Sequence, residues 1–180
     1  RKFGLDQLLW QQYLLYMGDV LPLDFNYSIA NYPRTVTSIM GEALPWTIGL
    51  LFTCTMLAWL LGNLLGGLAG YYRNNRALKV LGVIAMGFHP IPYYIIAFVL
   101  LIIFGYLWPI LPISGGSAQN VPQAFTLGYI GSVIGHSILP ALSIILVSIG
   151  GWFMGMRALV SNIVTEDYVV YAELAGVRRG

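Results

Sequence analysis

The fold class this sequence predicts is an all-α membrane protein, a polytopic bundle of transmembrane helices, and three observations predict it. Of the 180 residues, 58% are hydrophobic and 9% charged, whereas soluble domains carry about 25% charged residues. Mean hydropathy is +0.75. From Val80 to Met156, 77 consecutive positions, there is no Asp, Glu, Lys or Arg, and a second charge-free run covers the 30 positions from Ala43 to Tyr72. A bilayer-spanning helix needs about 20 mostly apolar residues, so both runs are long enough. These features exclude a water-soluble enzyme, a nucleic-acid binder and a disordered chain. The net charge of +2 is too small to call for a polyanionic ligand.

Residues 1–42 read as an external segment, residues 43–160 as the transmembrane core, and residues 161–180 as a cytoplasmic loop. Three spans fit the core, at about 44–72, 78–106 and 137–156. The second contains His89, Pro90, Ile91 and Pro92. Each proline removes a backbone donor and clashes with the preceding turn, which predicts a bend or break there.

Lys and Arg in the loops set the orientation. Arg73, Arg76 and Lys79 follow the first span, Arg157, Arg178 and Arg179 follow the third, and the connection from Leu107 to His136 has no cation. The first and last segments are therefore expected in the cytoplasm and the neutral connection outside. Residues 1–42 then also lie outside, in keeping with three cations against four acids. A chain that begins at Arg1, outside, with no signal-peptide pattern implies an upstream span in a longer protein. Trp46 and Trp108 fall at outer ends of spans and Tyr71 and Tyr72 at an inner end, as interfacial aromatics do.

Gly62, Gly66 and Gly70 recur every four residues, as do Gly151 and Gly155, a spacing that lets helices approach closely. Packing within the bundle is the preferred reading over a dedicated dimer face. Cys54, the single cysteine, reads as a small packing residue. No phosphate-binding loop precedes Lys2 or Lys79, no zinc pattern exists, and no span carries an acid of the kind that proton or sodium relays use. No metal site and no cofactor is expected in this chain.

Asn63, His89 and the break at Pro90 and Pro92 are the candidates for a pathway or hinge, because intramembrane polar groups are costly and often functional. The plainer alternatives remain open: His89 bonded to carbonyls freed by the prolines, and Asn63 bonded to a neighbouring helix. Residues 126–131, Thr-Leu-Gly-Tyr-Ile-Gly, superficially approach a potassium-filter sequence, but Ile130 breaks the carbonyl spacing that a filter needs. The surrounding residues read as an external loop.

Beyond Arg157, Asp167 suits the N-cap of a short helix from Tyr168 to Ala175, and Gly176 suits the residue just past its end. Such a helix displays Tyr168, Val169, Val170, Tyr171 and Leu174, an apolar surface that calls for a protein to dock on. Folding back on its own bundle is the alternative.

Asp167, Tyr168 and Val169, followed by Ala172 and Gly176, resemble the EAA loop of ABC importer permeases, the binding-protein-dependent transport inner-membrane components, in the form used by the peptide/nickel permease family. The spacing from Ala172 to Gly176 is kept, while Val170 and Tyr171 replace the usual glutamate and first alanine. Further likenesses follow in order: Leu5 to Gln7 with Gln11 to Leu14, Ala43 to Thr47, Pro92 to Tyr94, Leu111 to Gly115, and His136 to Leu142.

That resemblance implies a type I importer fold, of which these three spans would be the second to fourth. It also implies a multi-pass location in a bacterial or archaeal plasma (cell inner) membrane. It implies ATPase coupling through Asp167, Tyr168, Tyr171, Ala172 and Gly176. The implied partners are a second homologous permease, two cytoplasmic ATPase subunits holding ATP and Mg, and an external substrate-binding protein that Trp10, Tyr13, Tyr16 and Tyr27 would face. The chain itself would make and break no bonds. Di- and oligopeptides are the leading cargo, oligosaccharides an alternative, nickel a weaker one; a channel or secondary transporter is the alternative of another class.

Overall fold

The computed structural model describes residues 7–122 and 124–177. The described chain runs through α1 (Leu9–Val20), α2 (Val36–Tyr71), α3 (Arg76–Phe88), α4 (Tyr93–Leu101), α5 (Leu127–Ile163) and α6 (Asp167–Leu174). A π-helical segment, Ile102–Leu107, continues α4. The chain divides into two compact units at Gly49 and Leu50.

In the first unit α1 is followed by a tight loop. Leu23 and Asn26 take positive φ values of 67° and 56°, Tyr27 and Thr35 form an isolated antiparallel bridge, and the Tyr27 and Tyr32 rings lie 5.8 Å apart. The Thr35 hydroxyl accepts from the Ser38 amide at 3.3 Å and so starts α2. Arg34 pairs with Glu42 at 2.5 Å on the exposed surface.

The second unit is organised around α5. Phe153 is fully buried, with Cys54, Ala58, Ala69, Ala85 and Leu139 around the same core. Cys54 is thus a packing residue. Glycines of α2 fall on successive turns of α5: a Cβ built at Gly62 would stand 2.6 Å from the Trp152 Cβ, one at Gly66 would strike the Phe153 carbonyl, and one at Gly70 would reach 2.8 Å from the Arg157 carbonyl. Residue numbers rise together, so α2 and α5 run parallel. On α3 they oppose: Gly82 meets the Phe153 ring, Ala85 meets Gly150, and His89 meets Gly151. Accordingly α3 runs antiparallel to α5. Of the α5 repeat expected from sequence, Gly151 is used but Gly155 faces open space; Gly150 makes the closest approach, 2.5 Å from the Ala85 carbonyl.

α2 and α5 are each long and apolar enough to cross a membrane, and α3 with α4 and its π segment forms a third candidate bent by 99°. The protein is a multi-pass membrane protein, and the large apolar side chains left exposed along these helices, such as Phe52, Leu64, Val83 and Phe98, are what a bilayer covers. The bend has a local cause. Pro90 and Pro92 lack the amide protons that would continue α3, and Pro92 takes an extended ψ of 133° as the N-cap of α4.

Helix bounds differ from the expected spans at one place above all. α5 begins at Leu127, ten residues before Ser137, because the Thr126 hydroxyl accepts from the Tyr129 amide at 3.3 Å. The segment 127–136, read from sequence as loop, is helical; its Gly128, Gly131 and Gly135 hide a helix from propensity alone. The first residues of the filter-like segment therefore spend their carbonyls in the helix, Thr126 accepting from Ile130 at 3.0 Å.

The glycine seam is directly testable. Gly66→Ala should force α2 away from Phe153 and lower stability by about 1–3 kcal/mol, the usual cost of overpacking. Gly155→Ala, which meets nothing within 4 Å, should leave thermal stability in detergent undiminished or slightly raised, since Ala is the better helix former.

Candidate functional site

The last turn of α5 carries the segment singled out from sequence. The Val164 amide closes onto the Val160 carbonyl at 3.0 Å, the Thr165 hydroxyl donates to the Asn162 carbonyl at 2.8 Å, and Glu166 donates its amide to the Ile163 carbonyl at 3.1 Å. The Glu166 carbonyl then accepts from Val169 and Val170, at 3.0 and 3.3 Å. This puts the N-cap position on Glu166, so Asp167 is corrected from cap to first-turn residue, where its carboxylate favours the helix dipole.

The C-terminal end follows the expectation closely. Gly176 has φ of +85°, and the Val177 amide donates to the Ala172 carbonyl at 3.1 Å, the long bond of a Schellman ending. Only glycine takes this left-handed position without a Cβ penalty. Around α6, Tyr168, Tyr171 and Leu174 are 62%, 70% and 79% exposed, while Val169 and Ala172 are half-buried. The alternative of a helix folded back on its own bundle therefore leaves its largest apolar groups uncovered.

One residue was legible in sequence only as a topological charge. Arg73, in the turn between α2 and α3, donates from Nη2 to the Ser161 carbonyl in the last turns of α5. A cation there satisfies a carbonyl and opposes the negative end of the helix dipole. Tyr71, Tyr72, Arg73, Asn74 and Asn75 line a cavity of about 520 Å³ with Val164 and Thr165, directly before α6. Asn75 itself is occupied, since its Oδ1 accepts from the Ala77 and Leu78 amides and caps α3.

Asn63 and His89 bond other partners than the plainer alternatives named. Asn63 does not bond a neighbouring helix: its amide donates to the Trp59 carbonyl of its own helix at 2.7 Å. His89 does not serve the carbonyls freed by the prolines. Its Nδ1 lies 3.1 Å from the Val147 carbonyl on α5, with the ring against Gly151. Pro90 and Pro92 sit in the break, Pro92 capping α4. Asn63 and His89 are thus each committed to backbone, and His89 pins the break to α5. Trp10, Tyr13, Tyr16 and Tyr27 are all exposed in the first unit. Tyr16 and Tyr27 line a cavity of about 640 Å³ in the first unit, whose lining includes neither Trp10 nor Tyr13. Among the described residues no cluster of His, Cys, Asp and Glu is arranged to hold a metal.

Residues 62–180 match the family described as "Binding-protein-dependent transport system inner membrane component". This covers α2 from Gly62 through α6. Three curated relatives align along nearly all of the chain. The dipeptide transport system permease protein DppB of Lactococcus lactis subsp. cremoris is 22% identical over 175 residues, 97% of this chain and 53% of the relative. The probable D,D-dipeptide transport system permease protein DdpB of Escherichia coli is 28% identical, over 98% of this chain and 56% of the relative. The oligopeptide transport system permease protein OppB of Haemophilus influenzae is 25% identical, over 98% and 53%. The chain spans about half the length of the curated relatives it matches.

Removing the clasp should loosen the end of α5. Arg73→Met is expected to cost about 1 kcal/mol locally, for a charge-assisted bond that is partly solvated. Hydrogen exchange of the amides from Val164 to Glu166 should quicken about fivefold, with those around Phe153 unchanged.

Proposed function

The chain belongs to the family of binding-protein-dependent transport system inner membrane components, and from that premise we propose that it is a permease subunit of an ATP-driven peptide importer. In this reading it forms half of a translocation pathway with a second homologous permease. Two cytoplasmic ATPase subunits hold ATP and Mg, and a binding protein delivers substrate from outside. The membrane is the plasma (inner) membrane of a bacterium or archaeon.

The observation that carries the coupling is the outward display of Tyr168, Tyr171 and Leu174 on a helix closed by Gly176. A helix of eight residues is marginal in water alone and needs a partner surface. ATP-driven movement of that surface would be felt by α5 through the turn at Val164–Glu166, and by α2 and α3 through Arg73 and Ser161. Peptide is favoured as cargo because the relatives are named as dipeptide, D,D-dipeptide and oligopeptide transport permeases.

Orientation follows from charge. Arg73 reaches the end of α5, and a Cβ at Gly82 would lie 3.8 Å from the Arg157 guanidinium, so two cationic segments share one end of the bundle. The positive-inside rule assigns that end to the cytoplasm. An external thiol reagent should label Ser117→Cys and spare Asn74→Cys; the reverse pattern would overturn the orientation. Asn74 is the reporter of choice in this turn because its neighbour Asn75 caps α3.

The coupling claim is tested at α6. Gly176→Val strains a left-handed position, and Tyr171→Asp places an unpaired charge in the contact. Both variants should insert normally in the full-length protein yet lose bound ATPase or substrate-stimulated hydrolysis by at least about tenfold, corresponding to roughly 1.4 kcal/mol. Ser117→Ala should leave both properties intact. Normal ATPase binding and transport in both variants would sink the assignment, and loss of insertion would favour packing on the chain's own bundle.

A further inference from the structure

Helix α1 has two unlike sides. At about 100° per residue, Leu9, Val20, Tyr13, Met17, Trp10 and Leu14 fall on one continuous arc. Gln11, Gly18, Asp19 and Gln12 fall on the opposite one, interrupted by Leu15. On the second side Gln12, Leu15 and Asp19, with Tyr16 beside them, line the 640 Å³ cavity together with residues of the loop 24–30, and Leu15 and Tyr16 remain 53% and 58% exposed. On the first side Leu9, Trp10, Tyr13 and Leu14 are 84%, 59%, 62% and 59% exposed, while Met17 and Val20 of the same arc are half-buried.

We propose that α1 is an interfacial helix, its Leu9, Trp10, Tyr13 and Leu14 side lying in the headgroup–acyl boundary of the bilayer leaflet that α2 enters. The proposal needs only that α2 spans a membrane, and it stands independently of ATP coupling. Three features select lipid over a protein partner. The exposed arc combines aliphatic groups with Trp and Tyr, whose apolar bodies and polar tips suit the membrane boundary. From Gln7 to Gly18 there is no charged residue, so no cation has to be desolvated and no anion has to be matched. The helix is also tethered: residues 21–35 link it to α2, and the exposed Arg34–Glu42 pair stands immediately before the charge-free run that begins at Ala43. At no more than about 3.5 Å per residue that linker spans up to about 50 Å, enough for α1 to reach the surface where α2 enters.

Lacking Lys and Arg on its polar side, α1 differs from basic surface helices, whose binding depends on anionic lipid. Its insertion is apolar and should be indifferent to lipid charge and salt. The Gln12 and Asp19 side, with the cavity, stays in water.

The test uses the full-length protein reconstituted in phosphatidylcholine bilayers, with a single added cysteine carrying bimane. Leu9→Cys and Tyr13→Cys report the proposed lipid side; Gln12→Cys and Asp19→Cys report the cavity side. Cys54 is buried and stays unlabelled. Lipids brominated near the top of the acyl chain should quench the first pair at least about threefold more than the second, as for a helix lying 5–10 Å into the interface. The ratio should persist when anionic lipid is added or salt is raised. Equal quenching on both sides would overturn the proposal. So would quenching that requires anionic lipid, or a Tyr13 label that lipid never reaches but an added substrate-binding protein shields.

Discussion

Everything in the second unit depends on how closely α2 and α3 can approach α5 at Phe153. Lipid tails are as apolar as leucine, so burial of aliphatic surface gives membrane helices little reason to associate; close backbone packing supplies it. Phe153 is completely buried because Gly66 offers no Cβ against its backbone and Gly82 none against its ring. Gly62 and Gly70 repeat the arrangement one turn either side on α2, and Gly150 does so for α3. This seam sets α2 parallel and α3 antiparallel to α5. It thereby brings the turn after α2 beside the end of α5, where Arg73 can reach Ser161. The position of α6 is a consequence of packing some turns away.

The same seam divides the unit mechanically. Along Gly62–Gly70 the helices touch through backbone, and interiors packed this tightly transmit displacement without absorbing it. At Pro90–Pro92 the backbone lacks donors and bends by 99°, and the break is fastened to α5 by His89 and Val147. In the proposed importer a push on α6 would therefore move α5 with α2 and the lower part of α3 as one body, and flexing would concentrate at the proline break. Pro90 and Pro92 would then be the hinge elements of that proposal, and His89 the positioning contact between the break and α5.

How much of this was legible in the sequence depends on the range of the interaction. The charge-free runs, the proline break and the left-handed Gly176 are local chemistry, and each can be read from neighbouring residues. The partners of Asn63 and His89 were misjudged because a polar group within an apolar run announces that it needs a partner, not which one; Asn63 found Trp59 on its own helix and His89 crossed to Val147. Arg73 looked like a topological charge because Ser161 lies 88 positions away. Glycine spacing predicted a seam but chose Gly155 where Gly150 makes the contact, since a four-residue repeat leaves the rotation of the helix undetermined. The early start of α5 was hidden by three glycines and revealed by one threonine hydroxyl.

Parallel packing of α2 with α5 also decides what the bent pair must be. Two spans can cross a membrane in the same direction only if the chain between them crosses back. A re-entrant hairpin of α3 and α4 would leave α5 starting on the side where α2 ends, and the two would run antiparallel, contrary to the order of the glycine contacts. Lengths agree: at 1.5 Å per residue α3 covers about 20 Å and α4 with its π segment about 22 Å, so neither half crosses a core of about 30 Å alone. The connection that follows docks the Ala118 amide on the Ser132 hydroxyl, fifteen positions and about 22 Å along α5 from Val147, where His89 is held. The chain has therefore travelled from one end of α5 toward the other, and the break lies within a crossing. Non-helical backbone at membrane depth persists only against protein or a water-filled cavity. His89 on Val147 supplies the first of these on one side of the break. In an importer whose path runs between two permeases, a polar solute would require the second.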